Sequence, residues 1–181
     1  MRALSTFTLT IFALVAVSWP VEAGWDPRKE QKQYRKVQAA IKAFRQKDPS
    51  LKIFFKQAYG YVVFPKIVKG AIGIGGAHGK GLVFRRGRVI GRASLSQGTI
   101  GFQLGGQAYS EIIFFQNRTA LKRLTDGNLE FAAQATAVAA NKGVAANADY
   151  HKGVAVFTLA KGGLMYEASI GGQKFSYKPK K

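Results

Sequence analysis

Cysteine is absent from this sequence of 181 residues. Its absence excludes a disulfide framework, a thiolate zinc site, a cysteine nucleophile and acylation of an N-terminal cysteine. With only two histidines, a histidine-rich metal site has no material. Acidic residues are also few: nine Asp plus Glu stand against 28 Lys plus Arg, a formal net charge of +19. So few carboxylates leave little for paired acid–base chemistry. What is present is a globular composition, with 47% hydrophobic and 12% aromatic residues. The charge favours an anionic partner: a membrane surface, nucleic acid or an acidic polymer.

The first 23 residues read as an address. Arg2 is the only early charge, the apolar stretch Leu9 to Val17 follows, and Val21 and Ala23 supply small residues before Gly24. This is the three-part pattern of a secretory signal peptide. An anchored N-terminal helix is the alternative, but the apolar run is short for a bilayer of ~30 Å. Cleavage after Ala23 would remove one Arg and one Glu and leave the charge at +19. The expected organisation is a signal peptide (1–23), a basic amphipathic helix (24–47) and a domain (48–181) that forms one unit with that helix.

Asp26-Pro27 opens the first helix, since Asp accepts from free N–H groups and Pro is tolerated at the first helical position. Tyr34, Val37, Ile41 and Phe44 form one apolar stripe, and Arg28, Lys32, Arg35, Lys36 and Lys42 fall on the opposite side. Asp48-Pro49 repeats the start signal for a short second helix with Leu51, Phe54, Phe55 and Ala58, ended by Gly60. From Tyr61 the period changes. Tyr61 to Phe64 reads as a strand stopped by Pro65. Short apolar runs follow at Ala71–Ala77, Gly81–Phe84, Val89–Leu95, Thr99–Leu104 and Ala108–Phe115, with Arg86-Gly87 as a hairpin turn. Twelve glycines fall in the 37 residues from Gly70 to Gly106, which predicts a strongly curled antiparallel sheet. Asn117 caps a third helix carrying Ala120, Leu121 and Leu124, closed by Gly127. Residues 129–140 suit helix by alanine content and strand by the apolar odd positions from Leu129 to Ala139; the alternation favours strand. Val154–Leu159, Leu164–Ile170 and Lys174–Tyr177 close the sheet, with turns at Lys161-Gly162-Gly163 and Gly171-Gly172.

Catalytic motifs fail on spacing. A dinucleotide fingerprint from Gly73 needs glycine where His78 stands, and a phosphate loop ending in Gly79-Lys80 needs glycine at Ile74 and a hydroxyl at Gly81. No serine occupies a G-x-S-x-G elbow. His78 and His151 have only Asp149 nearby in sequence, and Asp126 with Glu130 reads as loop charge around a turn. No catalysis, cofactor or metal is expected.

The N-terminal helix carries the strongest binding signal. Ten Lys or Arg lie between residues 24 and 56, against Asp26, Glu30 and Asp48. A solvated charged face is one reading. A basic amphipathic helix on anionic lipid is the other, with Trp25 as an interfacial anchor. Each basic residue near such a surface contributes ~1 kcal/mol, weakened by salt. Arg85, Arg86, Arg88 and Arg92 interleave with glycine and aromatics as in some single-strand binders, but export and the lack of a recognition motif argue against nucleic acid.

Four blocks in order extend this reading. They are Ala58-Tyr59-Gly60-Tyr61-Val62-Val63-Phe64-Pro65 with Lys69 and Gly70; Gly75-Gly76 with Gly79 and Gly81; Gly101-Phe102-Gln103-Leu104-Gly105-Gly106-Gln107 before Ile112–Phe115 and Ala120-Leu121; and Lys161-Gly162-Gly163-Leu164 with Gly171-Gly172. From Asp48 to Tyr177 the chain resembles the SYLF domain family, lipid-binding domains that include a yeast actin-associated protein. The resemblance implies phospholipid binding helped by a basic N-terminal segment, with no catalysis and no cofactor. It singles out Lys69 as the basic residue of a matching block for headgroup contact. Actin bundling belongs to cytoplasmic members and is not expected of an exported chain. Asn141-Lys142-Gly143 stands where the family would have a Gly-Pro step.

The combined expectation is an exported α+β protein, with N-terminal helices on a curled antiparallel sheet, barrel-like or sandwich. It would sit in the periplasm or outside the cell, peripheral to a membrane. It would bind anionic phospholipid through Trp25, Arg28, Lys32, Arg35, Lys36 and Lys69. The alternative is a cell-envelope structural or interaction protein that binds an acidic polymer or a protein partner.

Overall fold

A computed structural model describes residues 27–72, 74–100, 107–131, 136–161 and 167–180. Three helices, α1 (Pro27–Lys47), α2 (Lys52–Gln57) and α3 (Arg118–Thr125), accompany eight strands. The strands are β1 (Gly60–Ile72), β2 (Ile74–Arg85), β3 (Arg88–Ile100), β4 (Gln107–Phe115), β5 (Thr136–Ala139), β6 (Val154–Ala160), β7 (Glu167–Ser169) and β8 (Gln173–Pro179). They form one sheet in the order β7-β5-β6-β4-β1-β2-β3-β8, so the fold is α+β. The pairing is mixed, not wholly antiparallel as expected: β5 runs parallel to β6, because the chain reaches β6 from β5 through a loop and a 3₁₀ turn instead of a hairpin. The sheet is not closed among the described residues. Among them, too, no helix is long and apolar enough to cross a membrane.

The sheet is buried on both faces. Val62, Phe64, Val83, Leu95, Ile113, Phe115, Val156 and Phe175 fill the concave side, and α3 seals one end of it with Ala120, Leu121 and Leu124. Val63, Leu82, Phe84, Ile112, Phe114 and Phe157 face the convex side, where Val37, Ala40, Ile41 and Phe44 of α1 and Phe54 of α2 cover them. Strong curl explains why Phe64 on β1 meets Phe175 on β8, three strands away, with ring centroids 5.9 Å apart.

Several boundaries depart from the pattern in the sequence. Pro65 does not stop β1. One extra residue between Val63 and Ile67 makes a bulge against both neighbours, and Ser110 Oγ donates to the Pro65 carbonyl at 2.9 Å. Opposite the bulge, a Cβ at Gly81 would meet the Val63 carbonyl at 2.5 Å, so glycine lets the strands close. Gly60 begins β1 instead of ending α2, which stops at Gln57. Tyr34 keeps the angle of the apolar stripe but is exposed, so the buried part of the stripe begins at Val37. The ambiguous stretch resolves toward strand: Glu130 bridges to Lys174 on β8, and Thr136–Ala139 is β5. The Asn117 cap is present, its side chain accepting from Ala120 N at 2.9 Å. Where the Gly-Pro step was expected, Gly143 adopts φ +79° in a turn held by Asp48.

Candidate anion-binding surfaces

The basic residues of α1 are placed by its packing. Val37, Ala40, Ile41 and Phe44 bury one stripe, so at 100° per residue Arg28, Lys32 and Arg35 project away from the sheet, and all three are exposed. Two polar contacts fix the rotation of the helix: Gln33 Nε2 donates to the Lys80 carbonyl at 2.9 Å, and Lys180 Nζ donates to Glu30 Oε1 at 2.6 Å. Lys36 lies on the flank. It lines a groove of about 420 Å³ with Lys66, Lys161, Pro65 and Leu159, between α1 and the bulged edge of β1. Lys66 and Lys161 therefore join Lys36. Sequence reading missed them because the bulge and the end of β6, which bring them beside α1, have no periodic signature.

Lys69 stands apart from this group. It lies in β1 opposite Ala77 and Gln107, beyond the bulge, and is half-buried. Trp25 lies outside the described residues, as do residues 1–23. His78 and His151 are both exposed, on β2 and in the turn before β6. Asp126 and Glu130 do not form a pair: Asp126 takes Lys122, and Glu130 takes Lys174 at 3.3 Å. Among the described residues no three His, Asp or Glu gather where a metal could sit.

The concave side holds one group of a different kind. Glu111 is fully buried, with Tyr109 on the same strand, and Thr158 is its cross-strand neighbour on β6. Burial pushes its carboxyl up to about 8, against the opposing pull of a hydrogen bond from Gln173. The same burial, with Glu111 adding to it, raises the Tyr109 hydroxyl. A neutral carboxyl closed in by the sheet contributes no charge to an outer partner.

A curled, double-faced sheet thus carries a basic helix across its convex side. Residues 96–180 match the family described as Ysc84, Las17-binding protein actin regulator. This segment is similar to the Ysc84, or SYLF, family. The chain is also 27% identical over 144 residues to Beta cell expansion factor A of Aeromonas veronii, across 76% of this chain and 52% of that protein. The chain spans about half the length of that relative. The SYLF segment begins within β3 and runs to the end of β8, so the sequence blocks around Tyr61 and Gly75 lie ahead of it. The SYLF family is one of non-enzymatic binding domains associated with lipid and actin.

Proposed function

We propose that this protein binds anionic phospholipid at a membrane surface, without catalysis, through the outward face of α1. One observation carries the reading. α1 is held on the sheet by a single buried stripe, which leaves Arg28, Lys32 and Arg35 turned outward and Lys36 beside Lys66 and Lys161. Six cations at a surface are together worth several kcal/mol, at ~1 kcal/mol each. Lys69, on the opposite face of the sheet by its register with Ala77, adds a separate contact, and Trp25 an interfacial anchor. Residues 1–23 act as an export signal in this reading, which places the protein in the periplasm or outside the cell, where actin is not its partner.

Flotation with phosphatidylglycerol vesicles and with phosphatidylcholine vesicles, at low and high salt, tests the proposal. The expected result is binding to the anionic vesicles alone, lost at high salt and lost when Arg28, Lys32, Arg35, Lys36 and Lys69 are replaced by Gln. Salt-resistant binding to both vesicle types would overturn docking by charge. No binding to either would favour an envelope partner or acidic polymer instead.

A further inference from the structure

A second basic surface lies away from the convex face. Two adjoining cavities of about 610 and 510 Å³ share Tyr59, Arg85 and Ile90, between the β2–β3 hairpin, α3 and the end of β8. Their cationic lining comes from Arg85, Arg86, Arg88, Arg118, Lys122 and Lys180, with Asp126 the one carboxylate among the lining residues and Lys180 paired with Glu30. Lys122 is paired with Asp126. Among the described residues no salt bridge reaches the four arginines.

The hairpin breaks two local rules to hold these charges. Arg85 and Arg88 are direct cross-strand partners, an arrangement of like charges that destabilises a sheet. Arg86 adopts φ +50° in the turn, a left-handed conformation in which glycine or asparagine is the ordinary choice. Local rules broken together at one place, at the rim of a cavity, are a mark of function. An anion bridging the guanidinium groups would offset the repulsion, and planar guanidinium forks suit phosphate oxygens. The walls are fixed as well: Tyr177 Oη donates to the Ile90 carbonyl at 2.8 Å, and Asn117 caps the start of α3 beside Arg118.

We infer that this cleft binds a phosphate ester group carrying more than one negative charge, held by Arg85, Arg86, Arg88 and Arg118. The inference goes beyond α1 docking and stands or falls separately from it. A lipid headgroup and a soluble phosphate ester share this chemistry, so the test has an arm for each.

Calorimetric titration of the purified protein with inorganic pyrophosphate is expected to show one saturable site. Arg86→Gly and Arg118→Gln should each weaken it about tenfold. Arg86→Gly also relieves the turn, so its thermal midpoint should hold or rise, which separates lost binding from lost folding. No saturable binding by the parent protein, or unchanged affinity in both variants, overturns the inference. Vesicles of phosphatidylcholine with phosphatidic acid are then compared with charge-matched vesicles containing phosphatidylglycerol. A preference for phosphatidic acid that both variants lose assigns the site to a lipid headgroup. Equal vesicle binding with the pyrophosphate site intact assigns it to a soluble ester. A single-stranded oligonucleotide that displaces pyrophosphate and binds more tightly would overturn the reading in favour of nucleic acid. Gln substitutions on α1 should leave the pyrophosphate isotherm in place, so failure of α1 docking and failure of this site are told apart.

Discussion

Gln173 Nε2 on β8 donates to Glu111 Oε2 on β4 at 3.1 Å, although the two strands stand four places apart in the sheet. The bond spans the concave interior, where the carboxyl is held neutral to about pH 8 against an ordinary 4.5. Between those two values the unfolded chain gives up a proton that the folded chain keeps. Stability is therefore full below about pH 4.5 and falls as pH rises toward and through about 8. The slope reaches at most ~1.4 kcal/mol per pH unit, and the total is on the order of a few kcal/mol. Urea midpoints measured across this range should decline for the parent protein and stay level for Glu111→Gln. Equal slopes in both would contradict the assignment.

Asp48 ties two distant loops together. Its carboxylate accepts from Ser50 N at 3.0 Å, Gly143 N at 3.1 Å and Ala145 N at 2.7 Å. Burial raises this carboxyl, but the hydrogen bonds outweigh it and the net shift is downward. Asp48→Ala should cost about 2–3 kcal/mol, the range for a lost cap and stranded buried amides. The amides of Gly143 and Ala145 should also lose hydrogen-exchange protection. Protection unchanged at those two sites would refute the tie.

Gly91 permits Tyr177 to lie against β3. A Cβ there would overlap the Tyr177 ring and the Lys178 carbonyl. Gly91→Ala should destabilise by ~1–3 kcal/mol, as overpacking does, and should displace the Tyr177 hydroxyl from Ile90. Thermal unfolding and near-ultraviolet dichroism check both effects.

Phe44 is the largest fully buried anchor of α1, with no exposed surface. Phe44→Ala should cost ~3–5 kcal/mol. It should also reduce vesicle flotation at low salt, since the outward charges keep their register only while α1 is seated. A stable variant with parent-like flotation would show that the seat is not needed for docking.

Much of this architecture was legible in the chain. The stripe Val37, Ile41 and Phe44, the Asp48-Pro49 and Asn117 starts, and the Arg86-Gly87 turn each rest on interactions within a few residues, and local pattern records such interactions. What escaped was set by partners distant in sequence. Pro65 reads as a stop until Ser110 takes up its carbonyl. Residues 129–140 look equivocal because one end bonds to β8 and the other to β6, a split that no single period encodes. Glu111 carries no mark in sequence, since its neutrality comes from walls supplied by other strands. The basic face of α1 was visible, whereas its companions Lys66 and Lys161 come from elements that meet α1 only in three dimensions.

The place of β8 has a consequence for biosynthesis. This strand pairs with β3, some eighty residues earlier, and supplies both the interior partner of Glu111 and the Tyr177 wall of the arginine cleft. A nascent chain that ends before Gln173 lacks the donor to Glu111 Oε2, the pairing partner of β3 and the Tyr177 wall, so the interior and the cleft both wait on the last strand.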